Sequence, residues 1–61
     1  MHITSRLDPE ALLTLDQAAE LSRLDPQLVR EAIRDHRLRA EQHKGELLVR
    51  VADLRRWLNR R

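Results

Sequence analysis

The sequence contains no cysteine, no phenylalanine and no tyrosine, and it has a single tryptophan. Without cysteine the chain forms no disulfide and no thiolate metal site. One aromatic residue does not provide the stacking platforms with which proteins bind single-stranded nucleic acid. No apolar run approaches the roughly 20 residues of a membrane span, and the first residues lack the apolar segment of a signal peptide. We therefore expect a cytoplasmic protein with no membrane partner.

The chain has 61 residues, enough for one domain with a small core. A domain of this size buries only about 60% of the surface that its unfolded chain exposes. An enzyme needs in addition a shaped pocket that excludes water. The three histidines show no metal-ligand spacing, and no nucleophile, base and orienting acid form a recognisable set. We expect a protein that is not an enzyme and that uses neither a metal nor a cofactor.

Charge is distributed unevenly along the chain. Residues 1–29 hold two arginines and five acids, a net charge of −3, whereas residues 30–61 hold nine arginines, one lysine and five acids, a net charge of +5. This asymmetry is typical of a protein whose second half meets a polyanion. A solvated surface on a helical protein gives the same pattern, so charge alone does not decide between the two.

The first residues predict a lead-in segment over 1–13, partly disordered over 1–6. Within it, Asp8, Pro9 and Glu10 have the order of an N-cap, a first-turn proline and a first-turn acid, which favours a short turn of helix over 9–13.

Two helices follow, joined by a tight corner. Thr14 and Gln17 have the spacing of a capping box, and Asp25 followed by Pro26 is a strong helix start. The second helix is predicted to end near His36. The apolar faces are Leu15, Ala18, Ala19 and Ser22 on the first helix and Val29, Ala32 and Ile33 on the second. A short turn between two such helices predicts a helix-turn-helix unit, with Leu24 filling the corner.

The pattern then changes to that of a β-hairpin. Residues 38–42 alternate apolar and polar, residues 47–49 are apolar, and Gly45, the only glycine, supplies the positive φ of a tight turn between them. This predicts a two-stranded wing. A third helix is expected over 51–60, with an apolar face of Val51, Leu54, Trp57 and Leu58. The expected fold is mainly α, with three helices and a small β-hairpin, and the DNA-binding domain spans 14–61.

Residues 13–58, about three quarters of the chain, resemble the excisionase and MerR-like family of small winged helix-turn-helix domains. The resemblance rests on the segment 13–21, on Leu24-Asp25-Pro26 with Val29, on Ile33-Arg34 and Leu38, and on the segment 50–54 ahead of Trp57-Leu58. Arg23 and His36 stand where the family usually has glycine, which predicts either a different turn or a left-handed residue at each. Leu47 and Leu48 stand where the family's wing often carries arginine.

On the second helix, Gln27, Arg30, Glu31 and Arg34 form one polar face opposite the apolar residues. In a helix seated in the major groove, Arg reads guanine, Gln reads adenine and Glu accepts from cytosine. A solvated face, with a weak pair between Glu31 and Arg34, is the alternative. Leu28 on the same helix either touches a thymine methyl or packs on the lead-in segment.

The remaining candidates lie in and around the wing. Arg37, Arg39, Lys44 and Arg50 are candidates for phosphate contacts, which position a protein without reading sequence. His43 at the wing tip either enters the minor groove or makes no contact with DNA.

The resemblance implies sequence-specific binding of double-stranded DNA. A domain without an appended coiled coil is closer to a phage or mobile-element excisionase, a recombination directionality factor that binds cooperatively with copies of itself, bends DNA and works with an integrase. A small MerR-like transcription regulator is the first alternative. A module that docks its basic face on an acidic protein is the alternative from another class.

Overall fold

The computed structural model describes residues 8–60, which form three helices and three short strands. In chain order these are β1 (Leu12–Thr14), α1 (Leu15–Ser22), α2 (Pro26–Arg34), β2 (Glu41–His43), β3 (Glu46–Arg50) and α3 (Val51–Asn59). The three predicted helices are thus confirmed. The expected disorder over residues 1–6 falls outside the described residues.

Side-chain caps fix where the first two helices begin. The Thr14 hydroxyl accepts a hydrogen bond from the Gln17 backbone N–H at 3.1 Å, and Gln17 Oε1 accepts one from the Thr14 N–H at 3.0 Å. Asp25 Oδ1 accepts from the Gln27 N–H at 2.9 Å, with Pro26 in the first turn. Each bond satisfies an N–H group that has no partner within its helix. The capping box and the Asp-Pro start are confirmed.

The same motif ends α1 and α2. Arg23 has φ 57° and His36 has φ 63°, both in the left-handed region. At the first end, the N–H groups of Arg23 and Leu24 donate to Glu20 O at 3.2 Å and to Ala19 O at 3.0 Å. At the second, the N–H groups of His36 and of the next residue donate to the equivalent carbonyls, those of Ile33 and Ala32, at 3.1 and 2.8 Å. Both are Schellman motifs. Of the two outcomes expected where the family has glycine, the left-handed residue is the one found.

The sheet has three antiparallel strands in the order β1-β3-β2, whereas the sequence predicted a two-stranded wing. The expected helical turn over 9–13 is also wrong, because Leu12–Thr14 pairs with β3 and places Leu13 opposite Val49. The Asp8 carboxylate still accepts from the Glu10 N–H at 2.9 Å, but the bond closes a turn that leads into β1. A lone two-stranded ribbon is marginal, and the third strand supplies β3 with backbone partners on both edges.

The hairpin turns at Gly45, as expected, but its first strand begins later than predicted. The first strand is Glu41–His43 rather than 38–42, because the Leu38 N–H bonds to the carbonyl of Ala32 at the end of α2 and its side chain is buried. A two-residue turn of Lys44 and Gly45, with φ 51° and 82°, closes the hairpin. Two successive positive φ values are those of a type I′ turn, which matches the twist of paired strands.

The core is formed by all three helices and by the sheet. Its buried members are Leu13, Ala18, Ala19, Val29, Ala32, Leu38, Val49, Val51, Leu54 and Trp57. Leu13 and Val49 bring β1 and β3 into the same core. Ile33, expected as a core residue, is half-buried and packs against the edge of this core. Leu24 also packs against the core, at the helix corner. Among the described residues, no helix is long and apolar enough to cross a membrane.

Candidate nucleic-acid interface

The polar face expected on α2 lies at the protein surface. Gln27, Arg30 and Arg34 are exposed, and Glu31 is half-exposed, while Val29 and Ala32 on the opposite side are buried. The helix is held at both ends by its cap and its Schellman motif, so its polar side chains project from a fixed scaffold. A rigid helix with one buried and one open face is the arrangement that major-groove reading requires.

The two arginines of this face have no carboxylate partner within residues 8–60. In particular, the pair between Glu31 and Arg34 that the solvated-face alternative invoked is not among the ion pairs formed there. An arginine without an internal partner keeps all five of its N–H donors for solvent or a ligand. Arg30 and Arg34 are thus free to bind a base edge without breaking a bond within the described part of the chain.

Leu28 is one of two large apolar side chains that the described residues expose, at 44% of its surface. Packing on the lead-in segment and contact with a thymine methyl both stay predictions for this residue.

The wing candidates differ in the partners they already have. Lys44 at the turn and Arg39 before β2 are exposed, and neither has an acidic partner in the part of the chain described. His43 Nε2 lies 3.1 Å from Glu41 Oε1, and Arg37 Nη2 lies 3.3 Å from Asp35 Oδ2. Exposed ion pairs of this kind contribute little free energy, so DNA phosphates compete with them readily.

Arg50 is held more firmly than the other candidates. It is half-buried, and its guanidinium forms ion pairs with Glu10 of the lead-in and Glu41 of β2. Hydrogen bonds from His43 and Arg50 lower the pKa of the Glu41 carboxyl, and the bonds to Glu41 and Glu10 raise the pKa of Arg50. The side chain joins three segments of the fold, and a phosphate contact would have to be made beside two carboxylates. No spacing in the sequence indicates these two partners.

Helix α2 and the wing meet at one concave surface of about 410 Å³. It is lined by Thr14, Leu15, Asp16, Arg30, Gly45, Glu46 and Leu47. Arg30 therefore lies beside the hairpin turn. A helix and a wing that contact the same duplex have to lie next to each other in this way. The lining contains the carboxylates of Asp16 and Glu46 as well as Arg30, so its charge is mixed. The surfaces that favour a polyanion are the outward-facing parts of α2 and of the hairpin turn.

A second concave surface is lined by Arg37 and Arg39 and by three further basic residues that the sequence pattern did not indicate, His36, Arg56 and Arg60. The i, i+4 spacing of Arg56 and Arg60 was the only signal in the sequence, and it is equally typical of a solvated helix face.

Within residues 8–60 no group of three or more His, Asp or Glu is placed to hold a metal ion.

A protein-family model described as "Helix-turn-helix domain" matches residues 12–61, most of the chain. The matched segment begins at β1 and contains α1, α2, the hairpin and α3. No curated protein and no solved structure gives a significant match.

Proposed function

The chain belongs to the helix-turn-helix domain family, whose members bind DNA, and we propose that it reads a specific site in double-stranded DNA with α2 in the major groove. The observation that carries the proposal is the exposed face of α2, on which Arg30 and Arg34 have no partner among residues 8–60. Arginine pairs with guanine O6 and N7, and each good contact of this kind discriminates by about 1–3 kcal/mol. Gln27 and Glu31 complete the face.

The wing supplies contacts to the DNA backbone in this proposal. Lys44 stands at the tip of the hairpin, and Arg39 leads into it, both exposed. Such contacts fix the orientation of the reading helix and carry no sequence information. Arg37 and His43 join them once their weak pairs open, whereas Arg50 stays with its carboxylates.

We further propose that the biological role is that of an excisionase, which assembles several copies on DNA and bends it for an integrase. A single module of this size covers roughly 600–1,000 Å² of interface, little for a high-affinity site. Binding of adjacent copies supplies the missing affinity. Contacts between neighbours that are head-to-tail do not close into a ring and extend along DNA. The proposal assigns binding to the chain and no catalysis.

The experiment that tests this role is selection of a binding site from random-sequence duplexes, followed by footprinting and a circular-permutation bending assay. We expect a protein that is monomeric at micromolar concentration. On its site it should protect two or more direct repeats, spaced by about one helical turn of 10–10.5 bp, and bend the DNA. A stable two-fold dimer that protects one inverted repeat would instead identify a conventional transcription regulator.

A further inference from the structure

A second concave surface, of about 530 Å³, lies between the end of α2, the segment that follows it, and α3. We call it the α3 groove and define it by its basic residues Arg37, Arg39, Arg56 and Arg60. All four side chains are exposed. The groove is distinct from the concave surface beside Arg30, with which it shares only Leu47.

The α3 groove carries an excess of positive charge. Asp53 is the only acid in its lining, so four arginines and one carboxylate give a formal charge of +3 with His36 neutral. Arg39, Arg56 and Arg60 have no ion-pair partner within residues 8–60, and Arg37 has only its exposed pair with Asp35. Arginines gathered in this way repel one another, and an anionic ligand relieves the repulsion.

The α3 groove begins where α2 ends. Its first arginine, Arg37, lies at the Schellman motif that ends α2, and Arg39 follows before the wing begins. None of the polar residues of the reading face lines the groove. A duplex seated on α2 therefore leaves the groove open, and the backbone that continues past the end of the helix meets Arg37 and Arg39 first.

We propose that the α3 groove binds the phosphates of DNA that flanks the site read by α2, with Arg56 and Arg60 as contacts beyond the wing. The proposal rests on the proposed function, because it requires a duplex already placed on α2. The planar fork of arginine donors fits phosphate oxygens in a bidentate manner. Flanking contacts of this kind repay the elastic cost of curving the duplex, and so give bending a physical cause.

Ile33, Ala40 and Leu47 also line the groove, and a basic groove with apolar residues in its lining suits an acidic amphipathic helix of another protein. DNA is favoured because the proposed function places a duplex on α2 and because the groove begins at the end of that helix, at Arg37. Binding of an acidic helical peptide in the following experiment would indicate a protein partner instead.

The test compares the salt dependence of binding to two duplexes that carry the same selected site. One is limited to the site itself, and the other extends it by about one helical turn on each side. The variant is Arg56→Gln combined with Arg60→Gln. The matched control is Arg23→Gln combined with Arg55→Gln, which removes the same charge from positions outside the groove. Circular dichroism establishes that all three proteins are folded.

Each phosphate contact contributes about −0.9 to the slope of log K against log salt. On the extended duplex the variant slope should be shallower than wild type by about 1.8, and on the short duplex the two should agree. The control should follow wild type on both. Equal slopes for variant and wild type on the extended duplex would overturn the inference, as would an equal loss on both duplexes. If the slopes agree and a Glu- and Leu-rich helical peptide binds wild type but not the variant, the groove serves a protein. A wild-type chain that binds neither duplex would contradict the proposed function itself.

Discussion

Arg23 and His36 hold the same position in two copies of one helix-ending motif, each with a left-handed backbone that glycine adopts at lower cost. A side chain in this conformation costs roughly 1–2 kcal/mol, part of which is regained because the unfolded chain is less flexible than with glycine. We therefore expect Arg23→Gly to stabilise the domain by about 0.5–1 kcal/mol, measured by urea unfolding. Arg23→Ala removes the same charge but keeps the Cβ, so it should not stabilise. Equal effects from the two substitutions would show that the backbone at this residue is not strained.

The three-stranded sheet makes Leu13 a core residue. Its side chain is 7% exposed and its backbone lies opposite Val49, whereas Leu12 beside it is only half-buried. Leu13→Ala should cost about 2–5 kcal/mol, in a domain that holds roughly 5 kcal/mol in all, and should leave much of the protein unfolded. Leu12→Ala is the control and should cost clearly less. Thermal unfolding followed by circular dichroism measures both, and a Leu13→Ala protein that melts like wild type would contradict the place of β1 in the core.

The pH dependence of stability tests the ion pairs around Arg50. Hydrogen bonds from His43 and Arg50 place the pKa of Glu41 below its ordinary value. A carboxyl with a lower pKa in the folded state adds stability that is present above its unfolded pKa and is lost as pH falls through the folded pKa. Glu41→Gln should thus be less stable than wild type near neutral pH, and the difference should shrink on acidification.

The urea midpoints of both proteins, measured from about pH 7 down to roughly pH 3, give this difference. The exposed Glu46, on the same hairpin, supplies the control, since Glu46→Gln removes a carboxylate that makes no ion pair with the described residues. An effect of Glu41→Gln that is the same at every pH would show that the Glu41 charge does not stabilise the fold.

The sequence predicted the elements whose signals are local. Thr14 and Asp25 act through bonds to residues two or three positions away, and Gly45 through its own backbone, so each could be identified without the fold. β1 could not, because Leu12–Thr14 becomes a strand only through pairing with the distant β3.

The candidate site follows the same division. The polar face of α2 was predictable, since the period of 3.6 residues per turn places residues three and four positions apart on the same side of a helix. The ion pairs of Arg50 were not, because Glu10 and Glu41 reach it only through the sheet. The α3 groove likewise joins Arg56 to Arg39 across elements that are separate in the chain. Contacts set by tertiary packing leave no spacing in the sequence from which to infer them.

The reading helix and the wing should differ in what they contribute to binding. Arg30→Ala or Arg34→Ala should cost about 1–3 kcal/mol on the selected site and little on random DNA, because each loses a base contact. Lys44→Ala should weaken binding to both kinds of DNA alike, because it loses a phosphate contact. Fluorescence anisotropy with the two duplexes at one salt concentration measures the difference. Equal losses on both duplexes from the α2 substitutions would show that this helix does not read sequence.

The most direct test of DNA binding is the affinity of the wild-type chain for a duplex as a function of salt concentration. The wing supplies four candidates for phosphate contacts, of which Arg39 and Lys44 have no ion-pair partner among residues 8–60 and Arg37 and His43 have only weak ones. Arg56 and Arg60 of the α3 groove raise the number to six. With roughly four to six phosphate contacts, log K should fall linearly with log salt, at a slope of about −3.6 to −5.4 between ~50 and ~200 mM. An affinity that stays flat across this range would contradict the account.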